Sequence, residues 1–417
     1  MHTRMLVSKR SLAAETVRSF SVVGLTAAVA VVVACHDVPT TPLASDKPSL
    51  AVSTDGAWLV NSLADPGDGV CANNECTLRE AIAAAQNGDR ITFKSNLIGT
   101  IGLTAGELLV EKGLSFEGPG ADQLSVSGQS ASTVFKIGNS VDSIVVVISG
   151  LTITDGMTFD NGGGVEITPA ARVVLVGSVV MRSSAADNGG GISNDGTLTV
   201  AGSTIADNEA GAGGGIYSPD GRLTVIRTTI SGNTSSQPDG GGGVFASCQT
   251  AWCGPSTIRS SVITKNKASN YAGGLALVSN PMSLSNTIVA GNESNLDTEA
   301  DCSGAGLSLT SLGYNLSRSN TGCELAAPTD VNLTLPSQVF TFVLLPVLAN
   351  NGGRVPTHAL IERGLAVDAG YCPGEGGDVR GFPRPYDDLR VPNALDGCDI
   401  GPFEWNPADT KGKGPKP

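Results

Sequence analysis

The sequence predicts an all-β fold, a right-handed parallel β-helix with an amphipathic N-terminal capping helix and a C-terminal cap. The first observation is a glycine-rich phrase that returns after 27, 24, 28 and 31 residues. Each phrase ends in an apolar residue, in turn Val165, Ile192, Ile216, Val244 and Leu275. The second observation is that β-branched residues alternate with Thr, Ser or Asn, which is typical of strands. One unit cannot bury its own apolar face, so the units are expected to stack as a solenoid.

The glycine triplets and a recurring asparagine predict how the coils turn. Glycine is expected where the chain needs a positive φ or passes close to the backbone of the next coil. An asparagine follows the isoleucine-containing strand at Asn208, Asn233, Asn266 and Asn292. We expect these amides to form a ladder that satisfies backbone groups at the turns. A leucine-rich repeat has a similar period, but it requires leucines at fixed offsets that this chain lacks.

Composition and pattern divide the chain into six parts. They are an export signal with a lipobox (1–34), a tether (35–52), an N-terminal cap (53–100), the β-helix repeats (101–325), a C-terminal cap (326–405) and a polar tail (406–417). The tether is rich in Pro, Thr, Ser and Asp without periodicity, which is typical of flexible linkers.

The first part carries the features of an export signal. Basic residues precede an apolar run over residues 22–34 that ends in small residues. The run closes as VVAC at Cys35, which resembles a bacterial lipobox, in which the cysteine is acylated. The alternatives are a plain secretory signal or a membrane-anchoring helix. His36 follows, and lipoproteins without Asp at that position are usually sent to the outer membrane, so an outer-membrane, lipid-anchored or extracellular protein is expected.

The overall charge limits the partners. The net charge of −13 repels nucleic acid and anionic lipid, so we expect no nucleic-acid partner and membrane contact only through the N-terminal lipid. Gly supplies 54 residues, whereas Phe, Trp and Tyr supply 10, 3 and 5. The chain therefore folds around small residues.

Eight cysteines remain besides Cys35, and an even number in an exported chain favours disulfide bonds. Spacing alone does not fix the connectivity. The preferred hypothesis joins sequence neighbours, because each pair then closes one loop. These pairs are Cys71 with Cys76, Cys248 with Cys253, Cys302 with Cys323, and Cys372 with Cys398. A zinc site is less favoured, because no pair has two-residue spacing or a histidine nearby.

A short amphipathic helix is predicted after the first strand. Thr77 and Glu80 have the spacing of a capping box, and Gly88 suits the C-terminal end. The apolar face consists of Leu78, Ala81, Ile82 and Ala85. This helix is suited to cover the first coil, whose core and edges would otherwise be open.

The segment CTLREAI at residues 76–82 resembles the CSLREA-type motif at the start of exported β-helix proteins, including polymorphic outer-membrane and adhesin-like families. Cys71 and the segment GPGAD at 118–122 add to the resemblance. Residues 344–370, the segment RGFPRP and the segment CDIGPFEW from Cys398 resemble a choice-of-anchor Q region. Two departures are Pro402, where the family has a small residue, and a polar, basic tail instead of a sorting anchor. The resemblance implies a pectin lyase-like β-helix and export, without fixing one activity.

We predict no catalytic residues. Pectate lyases and polygalacturonases share this scaffold and cluster Asp with Arg, Lys or His, whereas the arginines of the repeats are spread over different phases. Asp387 and Asp388 are interpreted as a solvated turn, and His358 as a hydrogen-bonded structural residue.

The sequence also offers a candidate metal site and a candidate ligand contact. Aligned on the glycine triplets, Asp160, Asp187 and Asp239 are equivalent, with Gly211 interrupting the row. The preferred interpretation is that they are ordinary turn residues, and the alternative is a calcium site. Trp252, in the loop between the Cys248 and Cys253 positions, is the best single candidate for a ligand contact. Otherwise no cofactor is expected.

The favoured function is a non-catalytic surface rod on a lipid tether that binds an extracellular polysaccharide or another surface protein. The alternative is a polysaccharide lyase or glycoside hydrolase on the same scaffold. The shortage of aromatic residues argues against the alternative, because sugar rings usually stack on Trp or Tyr.

Overall fold

The computed structural model describes residues 56–139, 142–237, 240–249, 253–295, 300–304, 309–318, 322–323 and 325–407. They belong to one compact unit, Leu43–Pro417. Within these residues the strands form four parallel sheets. They are numbered in the order in which one complete coil passes through them.

Sheet 1 consists of Ala57–Val60, Arg90–Phe93, Ser115–Glu117, Val145–Ser149, Arg172–Val176, Thr197–Ala201, Arg222–Ile226, Ser256–Arg259, Met282–Ser285 and Leu309–Ser311. Sheet 2 consists of Gly99–Gly102, Leu124–Ser127, Thr152–Thr154, Val179–Met181, Thr204–Ala206, Thr229–Ser231, Val262–Thr264, Ile288–Val289, Leu316–Arg318 and Val331–Leu333. Sheet 3 consists of Met157–Thr158, Ser184–Asn188, Glu209–Ala212, Thr234–Ser235, Lys267–Ala268 and Glu293–Ser294. Sheet 4 consists of Leu108–Val110, Phe135–Ile137, Val165–Ile167, Ile192–Asn194, Ile216–Pro219, Val244–Ser247, Leu275–Val278 and Cys302–Ser303.

The inward residues of sheet 4 form the column that the sequence predicts. Val165 pairs with Ile192, which pairs with Ile216, and the register continues through Val244 and Leu275. All five belong to one hydrophobic core and are at most 2% exposed. The prediction of an all-β parallel β-solenoid is confirmed, whereas its right-handed sense stays a prediction.

Close backbone approach explains the glycine triplets. A Cβ on Gly191 would lie 2.5 Å from the carbonyl oxygen of Gly215, and one on Gly215 would lie 2.5 Å from that of Gly243. The first glycine of that triplet, Gly213, has a φ of +61°. Any side chain at the second or third position would push neighbouring coils apart, so glycine is required there.

The asparagine ladder runs inside the turn between sheets 2 and 3. The Nδ2 atoms of Asn208, Asn233 and Asn266 each donate 2.9 Å hydrogen bonds to the Oδ1 atom of the asparagine in the next coil. Asn292 ends the ladder by donating over 2.9 Å to Asp301. Each Oδ1 in the series also accepts a backbone N–H from the preceding coil. The ladder therefore satisfies buried polar groups in every coil that it crosses.

Replacing Asn233 with Ala should destabilise the protein by about 3 kcal/mol, because it leaves amide and backbone groups of two neighbouring coils unsatisfied in the interior. Denaturant unfolding measures this loss. Asn393→Ala, an exposed asparagine, is the control and should change stability by less than about 0.5 kcal/mol. Equal, small effects of both variants would show that the ladder adds little to stability.

Helix α1 (Leu78–Ala84) follows the first strand and has the predicted capping box. The Thr77 N–H donates to Glu80 Oε2 over 2.8 Å, and the Glu80 N–H donates to Thr77 Oγ1 over 3.3 Å. Its apolar face joins the main core. The helix ends before Gly88, at an extended Ala85, because the Gly88 N–H already donates to Gly113 in the next coil.

All four predicted disulfide bonds are present, each joining its sequence neighbours. They are Cys71–Cys76, Cys248–Cys253, Cys302–Cys323 and Cys372–Cys398. Among the described residues, no helix is both long and apolar enough to cross a bilayer.

Residues 339–405, called the C-terminal segment below, lie along the outer face of sheet 2. The segment begins with helix α2 (Val339–Phe342), which follows a 3₁₀ turn at Pro336–Gln338. Val262, Ile288 and Leu316 point outward from sheet 2, yet each is at most 1% exposed, because they pack against apolar residues of this segment.

Polar contacts along several coils hold the C-terminal segment in place. Thr204 Oγ1 donates to the Pro356 carbonyl over 2.6 Å, and Asn286 Nδ2 donates to the Asp399 carbonyl over 3.1 Å. The sequence predicts a C-terminal cap at residues 326–405, which stays a prediction, and residues 339–405 of this region pack on a lateral sheet. At Val262, Ile288 and Leu316, the segment covers apolar side chains that would otherwise be exposed to water.

Candidate ligand-binding face

Sheet 4 presents a column of outward side chains, of which Lys136, Glu166 and Tyr217 are partly exposed. Lys136 pairs in register with Glu166, and Glu166 with Ser193. The register continues from Ser193 to Tyr217 and from Tyr217 to Phe245. Because successive side chains of a strand point to opposite faces, these five lie outside the core that their neighbours fill. With coils about 4.8 Å apart, the column from Lys136 to Phe245 is about 19 Å long.

A charged pair forms the N-terminal end of this column. Lys136 Nζ lies 2.8 Å from Glu166 Oε2. Its hydrogen bond with Glu166 raises the pKa of Lys136, and the nearby carboxylates of Glu107 and Asp160 raise it further. Burial raises the pKa of Asp195, and Glu166 and Asp220 add to that effect. Carboxylates therefore surround the Lys136 ammonium group.

A groove of about 430 Å³ opens beside Lys136, at the edge between sheets 3 and 4. Its walls are the loop 130–133, the segment 157–160 and Glu107. Phe159 is 82% exposed and Met157 is 39% exposed. The groove therefore combines an exposed aromatic ring with hydroxyl and carboxylate groups, which is a set that suits a sugar.

Two aromatic rings form the other end of the column. Tyr217 and Phe245 stack with their centroids 5.1 Å apart and their planes 14° apart. The strand places Phe245 outward between the inward Val244 and Ala246, and a small apolar cluster with Ala276 keeps it only 7% exposed. Tyr217 is half-buried and lies at the rim of this cluster.

The predicted ligand-contact loop leaves sheet 4 directly after this aromatic pair. Cys248 follows the strand Val244–Ser247, and its bond to Cys253 closes the loop. Cys253 Sγ lies 3.3 Å from Asp220 Oδ1, so the loop is next to the preceding coil. Trp252 lies outside the described residues, so its ligand contact stays a prediction.

The proposed calcium row is only partly within the described residues. The Asp187 N–H donates to the Asp160 carbonyl over 3.2 Å, which places these residues in adjacent coils. Gly211 comes next, and the Gln237 N–H donates to its carbonyl over 2.8 Å. Asp239 lies outside the described residues, as does Cys35, so calcium binding and lipidation stay predictions.

The sequence does not reveal the groove. The loop 130–133 and the segment 157–160 belong to neighbouring coils, and only the three-dimensional arrangement brings them and Glu107 together around one groove. An available signal was Phe159 itself, an aromatic residue directly before the turn sequence Asp-Asn-Gly, where an apolar side chain is unusual.

His358 is the hydrogen-bonded structural residue that the sequence predicts. Its Nε2 atom is 2.9 Å from Ser231 Oγ, and its Nδ1 atom is 2.9 Å from the Leu345 carbonyl. Ser231 is 3% exposed and His358 is 1% exposed. Burial lowers the pKa of His358, so the ring is neutral at pH 7. The pair joins the C-terminal segment to sheet 2 and is closed to substrate.

The largest pKa shifts lie in the C-terminal segment, away from the groove. Burial raises the pKa of Glu404 to about 7, against the effect of Arg384, which lies 2.9 Å away. Burial also raises the pKa of Asp399, with Glu404 adding to it, and raises that of Asp368 to about 6. These carboxyls are at most 1% exposed, so they belong to the internal packing of the segment.

Asp388 departs from the prediction of a solvated turn. It is 5% exposed and accepts 2.7 Å hydrogen bonds from both Nε and Nη2 of Arg390. The Arg390 guanidinium lowers the pKa of Asp388. The reason for the difference is that Asp388 also contacts Asp368 within the segment. The Asp388 N–H donates to Oδ2 of Asp368 over 3.2 Å.

Comparison with solved structures gives a likeness to a known protein. The chain is similar to pectate lyase Pel9A. The two are 14% identical, and the match covers 85% of this chain and 98% of that one with a TM-score of 0.47. No family model and no curated protein matches this sequence. The parallel β-solenoid therefore rests on the strand pairing itself, and the resemblance of residues 76–82 to the CSLREA motif stays a prediction.

The Glu404 carboxyl should make stability depend on pH. Its pKa is higher in the folded chain than in the unfolded one, so its contribution is complete below about pH 4.5 and is lost as the pH rises through about 7. As the pH rises from about 5 to about 8, the free energy of unfolding of Glu404→Gln should therefore fall by less than that of the wild type.

Thermal unfolding across this pH range measures the difference. Glu362→Gln is the control, because Glu362 is half exposed and makes long ion pairs. It should keep the wild-type pH dependence. Identical profiles for the wild type and Glu404→Gln would contradict the raised pKa.

Proposed function

We propose that this protein is a non-catalytic, lipid-anchored surface protein that binds an extracellular polysaccharide along the outer face of sheet 4. The single observation that carries this is the groove at Phe159, with its exposed ring beside hydroxyls and carboxylates. The stacked Tyr217–Phe245 pair adds aromatic surface at the far end of the outer column of sheet 4, which runs about 19 Å from Lys136 to Phe245, the length of several sugar residues.

The charge of the face indicates the kind of polymer. Glu107, Asp160 and Glu166 surround Lys136, and the whole chain has a net charge of −13. A polyanionic chain would be repelled, whereas hydroxyl and amino groups can donate hydrogen bonds to these carboxylates. We therefore propose a neutral or amino-bearing polysaccharide.

The burial of the titratable groups supports binding rather than catalysis. Within the described part of the chain, the carboxyls with the most strongly raised pKa values, Asp399 and Glu404, are closed off inside the C-terminal segment. The neighbouring Ser231–His358 pair is covered as well. Catalytic acids and bases are expected in contact with substrate, and these groups are not.

Export and anchoring complete the proposal. The four disulfide bonds fit an oxidising, extracytoplasmic compartment. A lipid on Cys35, followed by the tether 36–52, would hold the protein at the bacterial outer membrane. The resemblance to CSLREA and choice-of-anchor Q proteins supports the same location.

Phe159→Ala should weaken polysaccharide binding about tenfold, because it removes the exposed ring on which a sugar would stack. Calorimetry or depletion assays with glucan, mannan, chitosan and, as polyanions, alginate and hyaluronan measure this. Leu389→Ala is the matched control, since Leu389 is a 90% exposed apolar side chain of the C-terminal segment. Equal binding by both variants would contradict the site.

Residues 36–417 should bind such a polymer without breaking it. Reducing ends and unsaturated products are measured after long incubation, with Ca²⁺ present and then chelated. No products together with retained binding is the expected result. Turnover of any polymer would contradict the non-catalytic assignment and favour a lyase or hydrolase.

A further inference from the structure

A second concavity lies on the other side of the molecule, where the C-terminal segment crosses sheet 2. It is a cleft of about 270 Å³. One wall is formed by residues 121–122, directly after the Gly118-Pro119-Gly120 turn, and the opposite wall by the segment 354–356. The first stretch belongs to the segment GPGAD at 118–122 and the second to residues 344–370. The proposed polysaccharide face uses neither segment.

Arg354 joins the two walls. Its Nη1 atom donates to the carbonyl oxygen of Pro119, 235 residues earlier in the chain. A Cβ on Gly120 would lie 2.6 Å from Nη1 of Arg354 and 2.7 Å from Oδ1 of Asp122. Gly120, whose φ is +141°, is therefore needed for the arginine to pass across the turn.

The floor of the cleft is apolar. Ala121, Val179 and Val355 are at most 7% exposed and form a small cluster of their own, separate from the main core. Met181 packs against this cluster and also lines the cleft. A ligand that reaches the floor must therefore present an apolar surface to it.

The rim of the cleft carries two guanidinium groups. Arg182 and Arg354 both line the cleft, against the single carboxylate of Asp122. Arg182 is held by Asp155 at 3.0 Å and by Thr154 Oγ1 at 2.9 Å, which fixes its direction. Within the described residues, no ion pair joins Arg354 to a carboxylate, so its remaining N–H groups are open to a ligand.

We propose that this cleft binds small amphipathic carboxylates, with the carboxylate on Arg354 at the rim and the apolar body on the Ala121–Val179–Val355 floor. A guanidinium presents paired N–H donors to a carboxylate, which gives both affinity and orientation. The cleft has room for one small ring or a short aliphatic chain. This site is independent of the polysaccharide face, which lies on sheet 4.

Benzoate is the probe that tests the proposal, with benzamide as its neutral analogue and benzylamine as its cationic one. Titration of the full-length mature protein by calorimetry and by NMR should show saturable binding of benzoate that weakens as salt is added. Benzamide should bind at least tenfold more weakly. Equal binding of benzoate and benzamide, or no saturable binding of benzoate, would overturn the proposal.

Variants locate the site. Arg354→Gln should weaken benzoate binding at least tenfold, and Arg354→Lys should weaken it by less, because it keeps the charge without the paired donors. Arg172→Gln, an exposed arginine of sheet 1, is the control and should bind benzoate like the wild type.

Thermal unfolding of each variant separates loss of the site from loss of the fold. Phe159→Ala should bind benzoate like the wild type, because Phe159 does not line the cleft. The two proposals are therefore tested separately, and a failure of the polysaccharide proposal would not count against the cleft. Normal benzoate binding by Arg354→Gln would refute the cleft as the site.

Discussion

Direct backbone contact between successive coils is the constraint on which the rest of this structure depends. At the glycine corner, the backbone of one coil lies where the Cβ of the next would be, as at Gly191 and Gly215. This contact keeps the coils in register, so equivalent residues stack directly on one another. The asparagine ladder and the outward columns both follow from that register. A side chain at the corner would therefore disturb both the core and the surface.

The same stacking arranges the outward side chains of each lateral sheet in columns, and the chain uses these faces differently. The outer face of sheet 2 combines apolar side chains with Thr and Ser, and the C-terminal segment covers its apolar part with Phe403, Ile400 and Leu344 among its contacts. The outer column of sheet 4 is partly exposed, with a charged pair at one end and stacked aromatic rings at the other. The covered sheet thus adds stability, and the partly exposed sheet supplies the proposed binding face.

Local patterns could be predicted from the sequence, and contacts between distant segments could not. The inward column, the asparagine ladder, the capping box at Thr77 and the four disulfide bonds all depend on spacing within one or two coils. The C-terminal segment has no such period, and its contacts, such as Ser231 with His358, join residues 127 positions apart. The Arg354 cleft depends on that same long-range arrangement, whereas the Phe159 groove is formed by neighbouring coils whose lining residues follow no sequence period. Only the three-dimensional register brings their parts together.

The central claim is that the polymer lies on sheet 4 while the C-terminal segment stays closed over sheet 2. Hydroxyl-radical footprinting, with and without a bound soluble polysaccharide, tests it most directly. The account predicts that oxidation of Phe159 and Tyr217 falls on binding, that Leu389 stays fully reactive, and that Leu316 is protected in both states. Unchanged Phe159 and Tyr217, with new protection at Leu389, would contradict it and place the polymer on the C-terminal segment.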